Sequence, residues 1–242
     1  MRRLMTIVAA VIVFIVAFYI YTRNLYEPIM KKATGKRTVA SVIQDTEPDA
    51  FERLKAVLNA AGYKDSYPDK IMMYAFKEER ILQVYAINGS SSKLLKEYSF
   101  TAYSGALGPK LKEGDQQIPE GIYLLEYLNP NSAYHLSIKV NYPNEYDKSK
   151  TEFSTIKDMG GDIFIHGKAS TVGCIPIGDQ AIEEVFLLTE KAMGNPIKIV
   201  ISPRDFRANP NYPSIDNISW TEELYDMITC LLYTSPSPRD RG

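Results

Sequence analysis

The sequence predicts a mostly β domain with flanking helices, carried behind an N-terminal transmembrane helix. Three observations support this. An uncharged run from Leu4 to Thr22 follows Arg2 and Arg3. Aromatic and β-branched segments bounded by turn residues fill the chain from residue 70 to about 202. Helical periodicity is confined to segments around them.

The run from 4 to 22 is long enough, at about 1.5 Å per residue, to cross most of a hydrocarbon core. The arginines before it should stay cytoplasmic, which exports the rest. A cleaved signal peptide is the rival reading, but it wants small residues spaced as A-x-A, and the run ends "AFYIYT". The expectation is an uncleaved anchor at 1–23. It makes a single pass of the cytoplasmic membrane through residues 4–22, with the folded domain on its periplasmic or extracellular side.

Residues 24–66 read as a tether and an amphipathic helix. Asp49 is placed as its N-cap, Phe51, Leu54, Val57 and Leu58 share one face, and Gly62 ends it. The main domain, 67–205, opens with "KIMMYAF" and "RILQVYAIN", a predicted hairpin joined by "KEE". "EYSFTAYSG" is a third strand, "ALGPKLKEGDQQIPEG" a turn-rich loop, and "IYLLEYL" and "YHLSIKVNY" two more strands. A polar loop over 143–161 leads to the short strand "DIFIHG". "GDQAIEEVFLLTEKAMG" has helical spacing through Ile182, Val185, Phe186 and Leu188, and "PIKIVIS" is a last strand. Residues 206–242 form an extension with a loop and one helix. Within it, 230–242 ("CLLYTSPSPRDRG") is set apart as a suspected sequence artefact, because it matches no pattern before it.

With 242 residues, 45% hydrophobic and 24% charged, the chain can bury a sizeable core. A net charge of −1 excludes the dominant basic footprint of a nucleic-acid binder. Two histidines and the one cysteine outside the suspect tail fall short of the usual zinc ligand sets, and the lack of a C-x-x-C argues against a redox role, so no metal or other cofactor is expected. A Cys174–Cys230 disulfide stays open if the last residues are genuine.

Chemistry concentrates in "DIFIHGKASTVGCIPIGD", where His166 and Cys174 lie eight positions apart. A cysteine attacks a carbonyl as thiolate and needs a neighbouring base, usually His. Gly173 permits a tight turn whose backbone N–H groups could face an oxyanion. The bland readings are an inert buried cysteine and a structural histidine. Ser170 and Thr171 read as turn residues first and substrate contacts second.

"IHGKASTVGCIPI" resembles the signature of the L,D-transpeptidase (YkuD-type) catalytic domain: His-Gly, a short insert, then Ser/Thr-x-Gly-Cys. "GDQQIPEGIYLLEYLNPNSAYHLSIKVNYPN" resembles the segment that precedes it. The similarity covers roughly 70–202 and is nearest to the YafK-like murein branch. It implies a YkuD-like β-sandwich and a cysteine enzyme acting on peptidoglycan stem peptides. Cys174 then matches the nucleophile and His166 the base, with the Gly167 carbonyl orienting the imidazole. Thr171 and Gly173 match the nucleophile turn, whose Gly173 and Cys174 amides would form the oxyanion hole. His135 and Tyr134 match a strand position that could line the cleft. The acceptor could be a second stem or a wall-attached protein, and water would make the enzyme a hydrolase. An inactive wall-binding domain is the non-enzymatic alternative. Two departures bear on specificity: Val172 stands where many members carry His, and Pro176 where many carry Arg or Asn.

Overall fold

The structure, a computed structural model, describes residues 35–151 and 156–234. The predicted span at 4–22 lies outside them. Among the described residues, no helix is long and apolar enough to cross a membrane. The unit Val39–Gly242 holds every element below.

Helix α1 spans Val39–Ala60, beginning ten residues before the predicted Asp49 cap and running through Pro48. Proline removes one helical hydrogen bond and normally marks a boundary. Packing overrides it here. Val42, Ile43, Ala50, Leu54 and Leu58 form one buried row at helical spacing. Glu47, next to the proline, accepts a hydrogen bond from Tyr67 Oη at 2.8 Å and pairs with Lys191 at 3.4 Å.

Strands β1 (Ile71–Phe76) and β2 (Ile81–Asn88) make the expected antiparallel hairpin. Strand β3 is Ser91–Ser99 rather than 97–105, because the chain turns at Gly89 and pairs at once with β2. Residues 100–120 are irregular. Strands β4 (Gly121–Asn129) and β5 (Ser137–Val140) follow. The polar stretch predicted as a loop contains two short helices, α2 (Glu145–Ser149) and α3 (Ile156–Met159). A reciprocal cap between Asn144 and Asp147 starts the first of them. Then come β6 (Phe164–His166), β7 (Ile175–Pro176), α4 (Asp179–Ala192), β8 (Lys198–Ser202) and α5 (Thr221–Thr234).

The expected mostly β domain is built on one curled sheet. Its strands make one continuous order, β3-β2-β1-β8-β4-β5-β6-β7, mostly antiparallel, with β1–β8 and β6–β7 parallel. Strand β4 is the corner. Its first half, Gly121–Leu124, pairs with β8, and its second half, from Leu125, pairs with β5 with a register shift between Leu125 and Leu128. A bulge of this kind bends a strand and curls the sheet.

Every residue of β1 is buried, and alternation sends its side chains to two cores. Ile71, Met73 and Ala75 face the core that includes α1 and α4. Met72, Tyr74 and Phe76 face a second core with Leu224, Tyr225, Ile228 and Leu232 of α5. Each such side chain contributes about 1.5–3 kcal/mol when fully buried. The extension is therefore a packed layer. The segment set apart from 230 is helical to Thr234, and Leu232 completes the i, i+4, i+8 row of Leu224 and Ile228.

Candidate active site

The site lies on the β5–β6–β7 end of the sheet, where register decides which residues share a face. Ser137 opposes His166 and Lys139 opposes Phe164 across β5–β6, while His166 opposes Pro176 across β6–β7. Opposed residues point the same way and neighbours alternate. One face carries Ile138, Val140, Ile165 and Ile175, all 0% exposed, into the core. The other carries Ser137, Lys139, Phe164, His166 and Pro176. Cys174, one residue before β7, continues that row beside Phe164.

His166 is buried, and its Nδ1 lies 2.6 Å from the carbonyl oxygen of Gly167. A carbonyl only accepts, so Nδ1 carries the proton and Nε2 presents its lone pair. Burial lowers the imidazole below its ordinary pKa, and the Gly167 carbonyl opposes this. The half-exposed Tyr134 ring covers it, with centroids 4.4 Å apart. Gly167 is required by packing. A Cβ there would fall 2.6 Å from Asp179 Oδ1 and 2.8 Å from the Tyr134 carbonyl oxygen. The same Asp179, first residue of α4, accepts the Lys168 N–H at 2.7 Å and fastens the turn behind the histidine.

The nucleophile turn is organised by Thr171. Its Oγ1 accepts from Cys174 N at 2.8 Å and from Gly173 N at 3.3 Å, and donates to the Cys174 carbonyl at 2.8 Å. The two amides expected to form an oxyanion hole are thus directed at the Thr171 hydroxyl. Gly173 has φ +123°, and a Cβ would lie 2.9 Å from the Gln117 carbonyl oxygen, so the turn is wedged against the 100–120 loop. The half-buried Cys174 is a free thiol, and the disulfide with Cys230 is not made. Its Sγ donates to the Asp162 carbonyl oxygen at 3.5 Å. Burial raises the thiol above its ordinary pKa, partly offset by a Phe164 backbone hydrogen bond and the ammonium groups of Lys139 and Lys110. Both shifts favour the uncharged forms, thiol and neutral imidazole.

Other predicted residues fall out differently. The Nε2 of His135 lies 2.9 Å from Glu183 on α4, a carboxylate also bound by Arg53 at 2.8 Å. That ion cluster, rather than the cleft, holds His135. Ser170 is exposed on the connecting turn, as is Val172 (74%) beside the cysteine. Sequence reasoning missed Lys139 and Lys110. Both are buried, and both bear electrostatically on Cys174. A lone lysine between Ile138 and Val140 was a usable signal, because alternation sends it to the face opposite the core. That the same face carries His166 follows only from the β5–β6 register. Among the described residues, no group of three or more His, Cys, Asp or Glu is placed to hold a metal ion.

A curled, mostly β sheet bearing a cysteine and a histidine on one face of its edge matches what the signature implies. The chain belongs to the L,D-transpeptidase catalytic domain (YkuD) family, whose profile matches residues 67–201. Among curated proteins, "Putative L,D-transpeptidase YafK" of Escherichia coli (strain K12) is 35% identical over 138 residues, covering 55% of this chain and 54% of the relative. The match thus spans about half the length of the curated relatives. Among solved structures, the helical cell shape determining protein Pgp2 from Campylobacter jejuni aligns with a TM-score of 0.46 at 19% identity, covering 69% of this chain and 71% of that one. L,D-transpeptidase 1 of Mycobacterium tuberculosis aligns with a TM-score of 0.32 at 12% identity, covering 55% and 62%.

Proposed function

We propose that this chain is a cysteine-dependent L,D-transpeptidase acting on peptidoglycan stem peptides outside the cytoplasmic membrane, held there by residues 4–22. Cys174 Sγ attacks the carbonyl of the third stem residue, a diamino acid. His166 Nε2 takes the thiol proton as the bond forms, since burial favours the uncharged form of both groups, and returns it to the departing D-amino acid. The thioester is then resolved by an amine, giving a crosslink or an attached protein, or by water.

One observation carries this reading. The β6–β7 register, continued one residue back from Ile175, supports a common face for Cys174 and His166, and the Gly167 carbonyl favours the tautomer that leaves Nε2 as acceptor. Family membership supports the reaction class. For the Gly173 and Cys174 amides to receive the oxyanion, Thr171 Oγ1 must release them when the acyl group binds. The role of Thr171 is then to hold the turn in register between turnovers.

The test is incubation of the full chain with defined tetrapeptide muropeptides and crosslinked dimers, read by mass spectrometry. Expected products are new dimers with loss of D-alanine, or D-alanine loss alone if water resolves the thioester. Cys174→Ala should abolish both. Product formation that survives Cys174→Ala would refute the mechanism.

A further inference from the structure

His135 reaches away from the cleft, yet the residue before it covers the catalytic imidazole. The Tyr134 ring lies 4.4 Å from that of His166, centroid to centroid, and is itself 39% exposed. A ring with so much water beside it is fixed by the chain that carries it as much as by its own burial. Lys168 Nζ donates to the Ala133 carbonyl at 2.7 Å, and Gly167 N donates to the Leu136 carbonyl at 3.2 Å. Between these two ties stands His135, whose Nε2 lies 2.9 Å from Glu183 Oε1 on α4. A carboxylate only accepts, so Nε2 carries the proton.

The backbone of His135 shows that this tie is under demand. Its φ is +71°, a left-handed conformation that few residues other than glycine adopt and that lasts only where neighbours hold it. Consecutive side chains part there, Tyr134 onto the histidine of β6 and His135 onto α4. Glu183 suits the holding role because its own position is fixed. Its second oxygen, Oε2, accepts from Arg53 Nη2 at 2.8 Å, and Arg53 Nε binds the adjoining Glu184 at 2.8 Å. Arg53 belongs to α1, which precedes the family match at 67–201, so the contacts that lead to the imidazole begin outside that match.

We propose that Glu183 is a positioning residue. Through His135 it holds the Tyr134 ring against His166 and keeps water from the imidazole. The inference rests on the reading of His166 as the base. Burial is the larger influence on that imidazole and the Gly167 carbonyl the other. Besides Tyr134, the charged or titratable groups on the elements around it are Cys174 at the β7 edge, Lys139 on β5, and Lys168 and Asp179 behind its own turn. With those groups kept, release of Tyr134 returns water to the ring and moves its pKa up toward the ordinary value.

The test measures the pH profile of kcat/KM for a tetrapeptide muropeptide on the full chain, whose acid limb reports the base. Glu183→Ala and His135→Ala should each move that limb up by about 0.5–1 unit. His135→Gln, which can still donate to Glu183, should restore most of the wild-type position. Tyr134→Ala should give the same rise, and adding Glu183→Ala to it should give no more. Lys96→Met breaks an ion pair to Glu184 in the same cluster and is the control for stability alone: Tm falls and the limb stays. NMR titration of His166 in the Cys174→Ala chain reads the same shifts without turnover. The chain has two histidines, so the His135 variants leave a single imidazole to follow. An unmoved imidazole in Glu183→Ala and His135→Ala, an equal shift in Lys96→Met, or additive shifts in the double variant overturn the assignment. If the wild type turns nothing over, the reading of His166 as base falls, and the NMR shifts still decide the role of Glu183.

Discussion

Replacing Lys77 with methionine removes a charge from a fully buried pair while keeping most of the packing volume. Lys77 and Glu120 side chains are both 0% exposed and their charged atoms lie 2.9 Å apart. The ammonium also donates to the Gly108 carbonyl at 2.7 Å and to that of Ile118 at 2.9 Å. Burial lowers its pKa, and Glu120 opposes this. Glu120 in turn accepts from the Gly108 N–H at 2.7 Å and from Tyr225 Oη of α5 at 2.8 Å. After Lys77→Met those two donors remain, but the carboxylate loses its counter-ion and two buried carbonyls lose their donor. Breaking a buried pair from one side costs about 3–5 kcal/mol. In a chain of this size that corresponds to a fall in Tm of about 6–20 °C. Thermal and urea unfolding of the full chain measure it. Adding Glu120→Gln, which keeps an acceptor for the Gly108 N–H, lets the Tyr225 hydroxyl accept from the amide NH2 and removes the stranded charge, should recover about 1–3 kcal/mol. A loss under about 1 kcal/mol for Lys77→Met, or a further loss on adding Glu120→Gln, would refute this account of the cluster.

Two further outcomes follow from the same geometry. Gly173→Ala forces a Cβ to within 2.9 Å of the Gln117 carbonyl at φ +123°, and should cost about 1–3 kcal/mol and about 100-fold in kcat by shifting Cys174. Gly161→Ala, where nothing lies within 4 Å, is the control, and equal effects at both sites would remove the steric argument. Asp147, buried against Tyr123 and the Asn144 cap, has its pKa raised from 3.8 to about 6, chiefly by desolvation. Its folded value exceeds its unfolded one, so it adds stability at acid pH that is lost as pH rises through about 4 to 6. Asp147→Asn keeps the acceptor and should raise stability at pH 7 by about 1–3 kcal/mol and flatten that slope. An unchanged profile in urea titrations across pH 4–7 would contradict the assignment.

The local features were legible where local chemistry sets them. The β1–β2 hairpin, α4 and β8 follow from alternation and helical spacing between turn residues, and Gly62 ends α1 as expected. Departures occur where distant contacts decide. Pro48 reads as a boundary, but buried Val42 and Ile43 carry the helix across it. The parallel β1–β8 pairing and the corner in β4 join segments far apart in sequence, so a single curled sheet was not apparent from segments read one at a time. His166, Gly167, Thr171, Gly173 and Cys174 were named as candidates from spacing and signature within one short stretch, and the structure brings them together around one turn. Tyr134 was found as an aromatic before a strand, and its ring does reach the imidazole. His135 turned out to serve Glu183, and Lys139 was passed over, because each depends on which way a side chain leaves its backbone.

The last layer of the fold has a practical meaning. The family match ends at residue 201, yet Phe206, Leu224, Tyr225, Ile228 and Leu232 close one side of the sheet. Material cut at the family boundary would therefore bare Tyr74 and Phe76 to water and strip Glu120 of its Tyr225 hydroxyl. The segment outside the family match is part of the second hydrophobic core. Any recombinant version meant for assay should run at least through Leu232.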